Sequence, residues 1–186
     1  GYNYQALSVL NYTHKEKIDL IYIDPPYNTG SEGFMYNDKI VNREDSYRHS
    51  KWINFMDKRL RLAKNLLKKD GIILINIDDN EIAQLKLLCD EIFGEDYFRN
   101  AIAWAYRTGG APHKNDAFSR KHDYILMYSR SKDYFFNRFK EKIPYEKDFF
   151  GAKKDEKGKF YADVNLRDVI EGDITLFKDG EEYKKI

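Results

Sequence analysis

The stretch Ile18-Asp19-Leu20-Ile21-Tyr22-Ile23-Asp24-Pro25-Pro26-Tyr27-Asn28-Thr29-Gly30 decides how this sequence folds. Ile18, Leu20, Ile21 and Ile23 form a short apolar run with the length and β-branching of a buried parallel strand. Two consecutive prolines lack the N–H that a sheet ladder needs and hold the backbone extended, so the strand must stop there. Asp24 and Tyr27 are left at its carboxyl end, the edge at which open α/β sheets bind ligands.

Outward from this strand the same signature recurs. Ile72 to Ile77 is a second apolar run, and it too finishes in acid, at Asp78 and Asp79. Between the two runs, Ser50 reads as the N-cap of a helix with Trp52, Phe55, Met56, Leu60, Ala63, Leu66 and Leu67 near a 3.6-residue period. Lys68 and Lys69 suit its last turn, and Gly71 ends it. Asp78 with Glu81 resembles a capping box for the next helix, whose inner face is Ile82, Leu85, Leu88, Cys89, Ile92 and Phe93, stopped by Gly94. Strand, helix, strand, helix of these lengths implies parallel strands joined by crossovers, with Asp78 and Asp79 on the same sheet edge as Asp24.

Tyr4 to Leu10 reads as a short amphipathic helix leading into the first strand. Ala101 to Tyr106 and Asp123 to Ser129 read as two more strands. The Gly-rich, basic segment between them carries Arg107, Lys114, Arg120 and Lys121, which with the amides of Gly109 and Gly110 could hold phosphates. A solvated hairpin loop is the equal alternative. Asn28 to Asp45 reads as a long loop at the mouth of the site, where Phe34, Tyr36 and Arg43, with Arg48 and His49 just after it, could contact DNA or equally line a solvated polar loop. From Asp133 onward the pattern changes, and Asp148 to Lys154 is the expected boundary. The expected domains are therefore 1–147 and 148–186.

The net charge of +1 gives no global basic signature, so nucleic-acid binding must come from local patches. A single cysteine, Cys89, and no apolar run long enough to span a bilayer point to a soluble, reducing, cytoplasmic setting without membrane contact. Four scattered histidines and one cysteine show no zinc spacing, and no metal is expected. The absence of a G-x-x-x-x-G-K-[ST] loop argues against an ATPase. The chain opens on Gly1, not Met, which reads as part of a longer protein.

Each member of Asp24-Pro25-Pro26-Tyr27 offers separate chemistry. An exocyclic amine on a nucleobase is a poor nucleophile because its lone pair is delocalised into the ring. The Asp24 carboxylate can accept one of its N–H groups and the rigidly aimed Pro25 carbonyl the other, favouring a more tetrahedral nitrogen. The Tyr27 ring offers a flat face on which an extruded base can stack. An ordinary turn after a strand is the alternative these four residues leave open.

In this tetrapeptide the chain resembles the amino-methylating DNA methyltransferases that carry Asp-Pro-Pro-Tyr. The likeness runs from about residue 1 to 135. It takes in residues 21–30, 52–67, 71–79 with Glu81, 85–100 and 119–129, and in these it is similar to the modification subunits of type III restriction-modification systems, β-group adenine-N6 enzymes. The resemblance implies a doubly wound, mostly parallel Rossmann-like methyltransferase sheet, of which this chain supplies part, followed by the start of a target-recognition module. It implies S-adenosylmethionine as cofactor, double-stranded DNA as substrate, base flipping, and an often dimeric assembly able to recruit a restriction subunit. Carried onto this sequence, it makes Asp24, Pro25, Pro26 and Tyr27 catalytic, and Asp24 and Asn3 cofactor contacts. Asn28, Thr29, Arg107, Lys114, Arg120 and Lys121 become DNA contacts.

Two departures qualify it. The family's Phe-x-Gly-x-Gly cofactor motif is absent from these 186 residues, so the half-sheet that holds the cofactor is expected to be missing, with an open edge beside Ile18 to Ile23. Where the family has Gly-Asp-Asn, this chain has Gly1-Tyr2-Asn3. Methylation of cytosine N4 uses the same logic, and an inactive DNA-binding fragment is the rival from another class.

Overall fold

The computed structural model describes residues 3–30, 35–36, 39–106, 120–137, 139–171, 175–178 and 181–185. The chain divides into two compact units, Gly1–Trp104 with His122–Phe135, and Ala105–Lys121 with Phe136–Ile186.

In the first unit, helix α1 (Asn3–Thr13) leads into strand β1 (Ile18–Ile23), and a two-residue ladder follows, β2 (Met35–Tyr36) against β3 (Lys39–Ile40). Helix α2 (Arg48–Leu66) then feeds strand β4 (Leu67–Ile77), and helix α3 (Ile82–Phe93) leads to β5 (Phe98–Ala105) and β6 (His122–Ser129). Within this unit the strands lie in the order β1-β4-β6-β5. β1 and β4 run parallel, with Ile21 opposite Ile73 and Ile23 opposite Ile75. β6 returns antiparallel on the other side of β4. This is the α/β architecture that the alternation of runs and helices implied.

The core lies on one face of this sheet. Successive strand side chains alternate, so Ile73, Ile75 and Ile77 of β4 all point the same way and are fully buried. The inner stripes of α2 (Trp52, Met56, Leu60, Ala63, Leu66) and α3 (Leu85, Leu88, Cys89, Ile92, Phe93) are buried with them. Each large apolar side chain taken from water contributes about 1.5–3 kcal/mol. Tyr128 of β6 is buried too, packed between Phe93 and Phe98, and its hydroxyl donates to Asp90 Oδ1 at 2.7 Å.

Three local expectations are corrected. Ser50 does not cap α2: the helix begins two residues earlier, and the Asp45 carboxylate serves its start, accepting the Tyr47 N–H at 2.9 Å and pairing with Lys51. Gly71 does not end α2, which stops at Leu66; the carbonyls of Asn65 and Leu66 accept the N–H groups of Glu16 and Lys17, so the turn before β1 satisfies them. Gly71 sits in β4, where an added Cβ would lie 3.0 Å from the Ile18 carbonyl oxygen, so it admits β1 at close range. The Asp78 and Glu81 capping box does not form either: Asp78 Oδ1 accepts the Asn80 N–H at 2.9 Å, and Glu81 points inward.

The second unit holds β7 (Lys140–Tyr145), β8 (Lys153–Lys154), β9 (Phe160–Asn165), β10 (Val169–Glu171), β11 (Thr175–Lys178) and β12 (Glu181–Lys185). Five of these form an antiparallel sheet in the order β12-β11-β7-β9-β8. Glu141, on β7, is tied to Arg167 at 2.6 Å. Among the described residues no helix is long and apolar enough to cross a membrane.

Candidate active site

β1 ends at Ile23, and the next residues leave the sheet as an irregular turn. Asp24, first in that turn, is exposed. The Pro-Pro step behind it is pinned from below: the indole N–H of the fully buried Trp52 donates to the Pro26 carbonyl at 2.6 Å. Among the described residues no donor reaches the Pro25 carbonyl. It is the oxygen that the sequence nominated as second acceptor for an amine. One proline carbonyl is therefore anchored, while its neighbour receives no donor among the described residues.

Tyr27 is half-buried and packs against the core cluster. Burial first, and then the neighbouring Asp24 carboxylate, push its phenol well above the ordinary value near 10; Asp123 and Asp78 push the same way. The phenol thus stays neutral, with three acids around it, and Asp24 and Asp78 do share one sheet edge. Among the described residues no group of three His, Cys, Asp or Glu converges as metal ligands would.

Next in the chain, Asn28 has a left-handed backbone, φ +56°, and is 2% exposed. Its side-chain amide donates to the Arg48 carbonyl at 3.3 Å and to Glu81 Oε1 at 2.5 Å, while its own carbonyl accepts from Arg48 Nη1. His49 Nδ1 meets the same Glu81 oxygen at 2.7 Å. Asn28 is thus turned inward, not toward solvent as a DNA contact would be. Thr29 is exposed.

A cavity of about 550 Å³ opens between α1, β1 and α2. Its wall is mostly apolar, with Leu7, Ile21 and Phe55, and both residues named as cofactor contacts, Asn3 and Asp24, lie on it with Pro25 and Pro26. Arg59 stacks over the Phe55 ring at 3.5 Å and donates to Asn3 Oδ1 at 3.2 Å, fixing the side of that cavity.

Arg120 and Lys121 belong to the second unit, where Lys121's carbonyl accepts the Tyr106 N–H at 2.8 Å. Arg107 and Lys114, with Gly109 and Gly110, lie outside the described residues. Sequence reasoning missed Trp52 and Glu81 as functional neighbours, because each also fits a bland role, one on a helix's apolar stripe and the other as a cap. The one available signal was Asn28 itself, a residue type that tolerates left-handed backbone, set directly after the tetrapeptide.

The family model described as DNA methylase matches residues 18–184. The modification subunit of the type III enzyme EcoPI, from Escherichia phage P1, is 40% identical over 156 residues, covering 72% of this chain and 24% of the relative. That of EcoP15I from Escherichia coli is 36% identical over 166 residues, covering 77% and 25%. This chain thus spans about a quarter of the length of these relatives. Among solved structures, a Thermus thermophilus protein classed as a DNA modification methylase aligns with a TM-score of 0.52 at 17% identity, covering 74% of this chain and 55% of that one. That likeness shows that the two share a Rossmann-like fold. Together with the acid, the proline carbonyl and the phenol gathered at one sheet edge, the match places this chain in the N6/N4 DNA methylase family.

Proposed function

We propose that the chain is the catalytic, amino-terminal part of an S-adenosylmethionine-dependent DNA methyltransferase acting on the N6 amino group of a flipped-out adenine, within a type III restriction-modification system. The observation that carries this reading is the pairing of an exposed Asp24 with a Pro25 carbonyl that receives no donor among the described residues, at the end of β1.

In this reading Asp24 accepts one amino hydrogen and the Pro25 oxygen the other, drawing the nitrogen lone pair out of the ring. Trp52 keeps the Pro-Pro step from yielding as these contacts form. Tyr27, held neutral, lends the base a face and a polar edge without competing as a charge. The surplus proton on the methylated nitrogen leaves by way of Asp24 to solvent. No covalent enzyme intermediate is required.

S-adenosylmethionine, when bound, supplies an electrophilic methyl group on a sulfonium. The cavity fits one part of it: an apolar wall with the Asn3 amide and the Asp24 carboxylate suits a flat apolar body with a cationic end. The remaining contacts fall to the family's glycine-rich motif, which these 186 residues do not contain. Thr29, Arg107, Lys114, Arg120 and Lys121 are assigned to double-stranded DNA, and residues 148–186 to the start of target recognition. A dimer and a restriction subunit are the further partners expected. The reading also places the protein in the cytoplasm.

The test is Asp24→Ala in the full-length protein. Methyl transfer should vanish while DNA affinity changes little, and retained methylation would exclude the role given to Asp24. Mass analysis of digested DNA separates N6-methyladenine from N4-methylcytosine, the alternative product of the same chemistry.

A further inference from the structure

We infer that Glu81 is a positioning residue for the Asp24–Tyr27 turn, acting through Asn28 and His49, an inference that rests on the methyltransferase reading for its link to catalysis. Glu81 is fully buried, and a buried carboxylate is costly unless it is well bonded. Here one oxygen, Oε1, gathers two groups from distant parts of the chain, the Asn28 amide at 2.5 Å and His49 Nδ1 at 2.7 Å. The other oxygen, Oε2, and the Asn28 Oδ1 are buried without a partner among the described residues. Stability alone would have favoured an apolar side chain or a fully satisfied one, since unpaired buried acceptors weaken a fold.

What this arrangement accomplishes is geometric. Asn28 is one of only two described non-glycine residues with a positive φ, and it directly follows Tyr27. Such a backbone persists only where its surroundings over-determine it. Three contacts do so: Glu81 at the head of α3, the Arg48 carbonyl at the start of α2, and the Arg48 guanidinium on the Asn28 carbonyl. Glu81 is therefore the hub that joins the two helix starts to the turn after β1. His49 completes it, provided its Nδ1 carries the hydrogen that the carboxylate accepts. Without Glu81, Asn28 would relax toward ordinary backbone and swing Tyr27 and Asp24 with it.

The experiment uses the full-length protein with three substitutions: Glu81→Leu, which removes the acceptor; Glu81→Gln, which keeps one; and Asn28→Gly, which keeps the left-handed backbone but removes the tether. Hydrogen exchange at the amides of Tyr27, Asn28 and Thr29 is measured beside kcat and KM for DNA. In Glu81→Leu and Asn28→Gly the turn amides should exchange about tenfold faster or more, while the β4 amides from Ile73 to Ile77 keep their protection. On DNA, kcat should fall about 100-fold with KM nearly unchanged, as expected when reacting groups are misplaced by about an ångström. Glu81→Gln should recover most of both. Unchanged exchange at the turn, or a rise shared equally by β4, would overturn the inference. Absence of methyl transfer by the unsubstituted protein would sink the functional reading alone, and the exchange data would still decide the role of Glu81 in the turn.

Discussion

β1 and β4 carry nearly the same apolar signature, are hydrogen-bonded neighbours, and are buried very differently. In β4, Ile73, Ile75 and Ile77 are fully buried. In β1 no residue is buried, and Leu20 and Tyr22 are 52% and 56% exposed. β4 has a strand on each side and two helices over one face, whereas β1 ends the strand order of its unit and faces the cavity along α1. The apolar pattern therefore records the surroundings a strand is built for, and β1 is built for more cover than the described residues give it.

The largest effect that separates the two strands should come from β4. Ile75→Ala removes buried atoms from the centre of the core and should cost about 2–5 kcal/mol, read as a fall in urea midpoint without a change in slope. A loss below about 1 kcal/mol would mean that β4 is not the centre of packing.

A step down in size is the contact that converts burial into site geometry. Trp52→Phe keeps most of the apolar volume but leaves the Pro26 carbonyl without its donor. It should cost about 1–3 kcal/mol, and methylation by the full-length protein should drop further than stability alone explains. Equal activity at temperatures well below melting would show that the Pro-Pro step holds itself.

How much of this was legible beforehand divides along the same line. The strands, the inner faces of α2 and α3 and the acid at the sheet edge follow from periodicity, because burial of one face dictates a repeat that survives in the sequence. The helix ends did not. Ser50 and Gly71 look like caps, but the backbone groups there are satisfied by Asp45 and by the Glu16–Lys17 turn, partners distant in sequence or outside the pattern. Glu81 was misread for a related reason: a carboxylate beside a helix start is usually a local cap, and only three-dimensional proximity to Asn28 and His49 reveals another use. Around the candidate site, the groups to which the proposed chemistry is assigned were picked out by residue type, whereas the contacts of Trp52, Asn28 and His49 were not.

Tyr128, in the buried region, gives a smaller and pH-dependent contrast. Burial first and then its bond to Asp90 raise its pKa, and Tyr27 is shifted in the same direction. In the unfolded chain both phenols titrate near 10. Their raised folded values mean that the stabilisation is complete below that pH and is lost progressively as pH climbs above it. Thermal melting should hold steady between pH 8 and about 9.5 and fall at higher pH, and Tyr128→Phe should flatten that fall. A variant that falls as steeply as the parent would assign the alkaline loss to other groups.

The smallest effect should come from β1 in this 186-residue chain. Leu20→Lys places a charge where the side chain is already half in water, so stability should change by no more than about 0.5 kcal/mol, and a lysine on an edge strand should lessen aggregation. In the full-length protein the same substitution becomes a probe of cover. If another segment packs over β1, Leu20→Lys buries an unpaired ammonium beneath it, and the cost should rise to about 2 kcal/mol or more, seen as a lower melting temperature. Equal, small effects in both chains would mean that Leu20 stays exposed in the full-length protein, and the cover that the apolar pattern of β1 implies would then have to lie along the cavity wall of Ile21 and Ile23 and not on the Leu20 face.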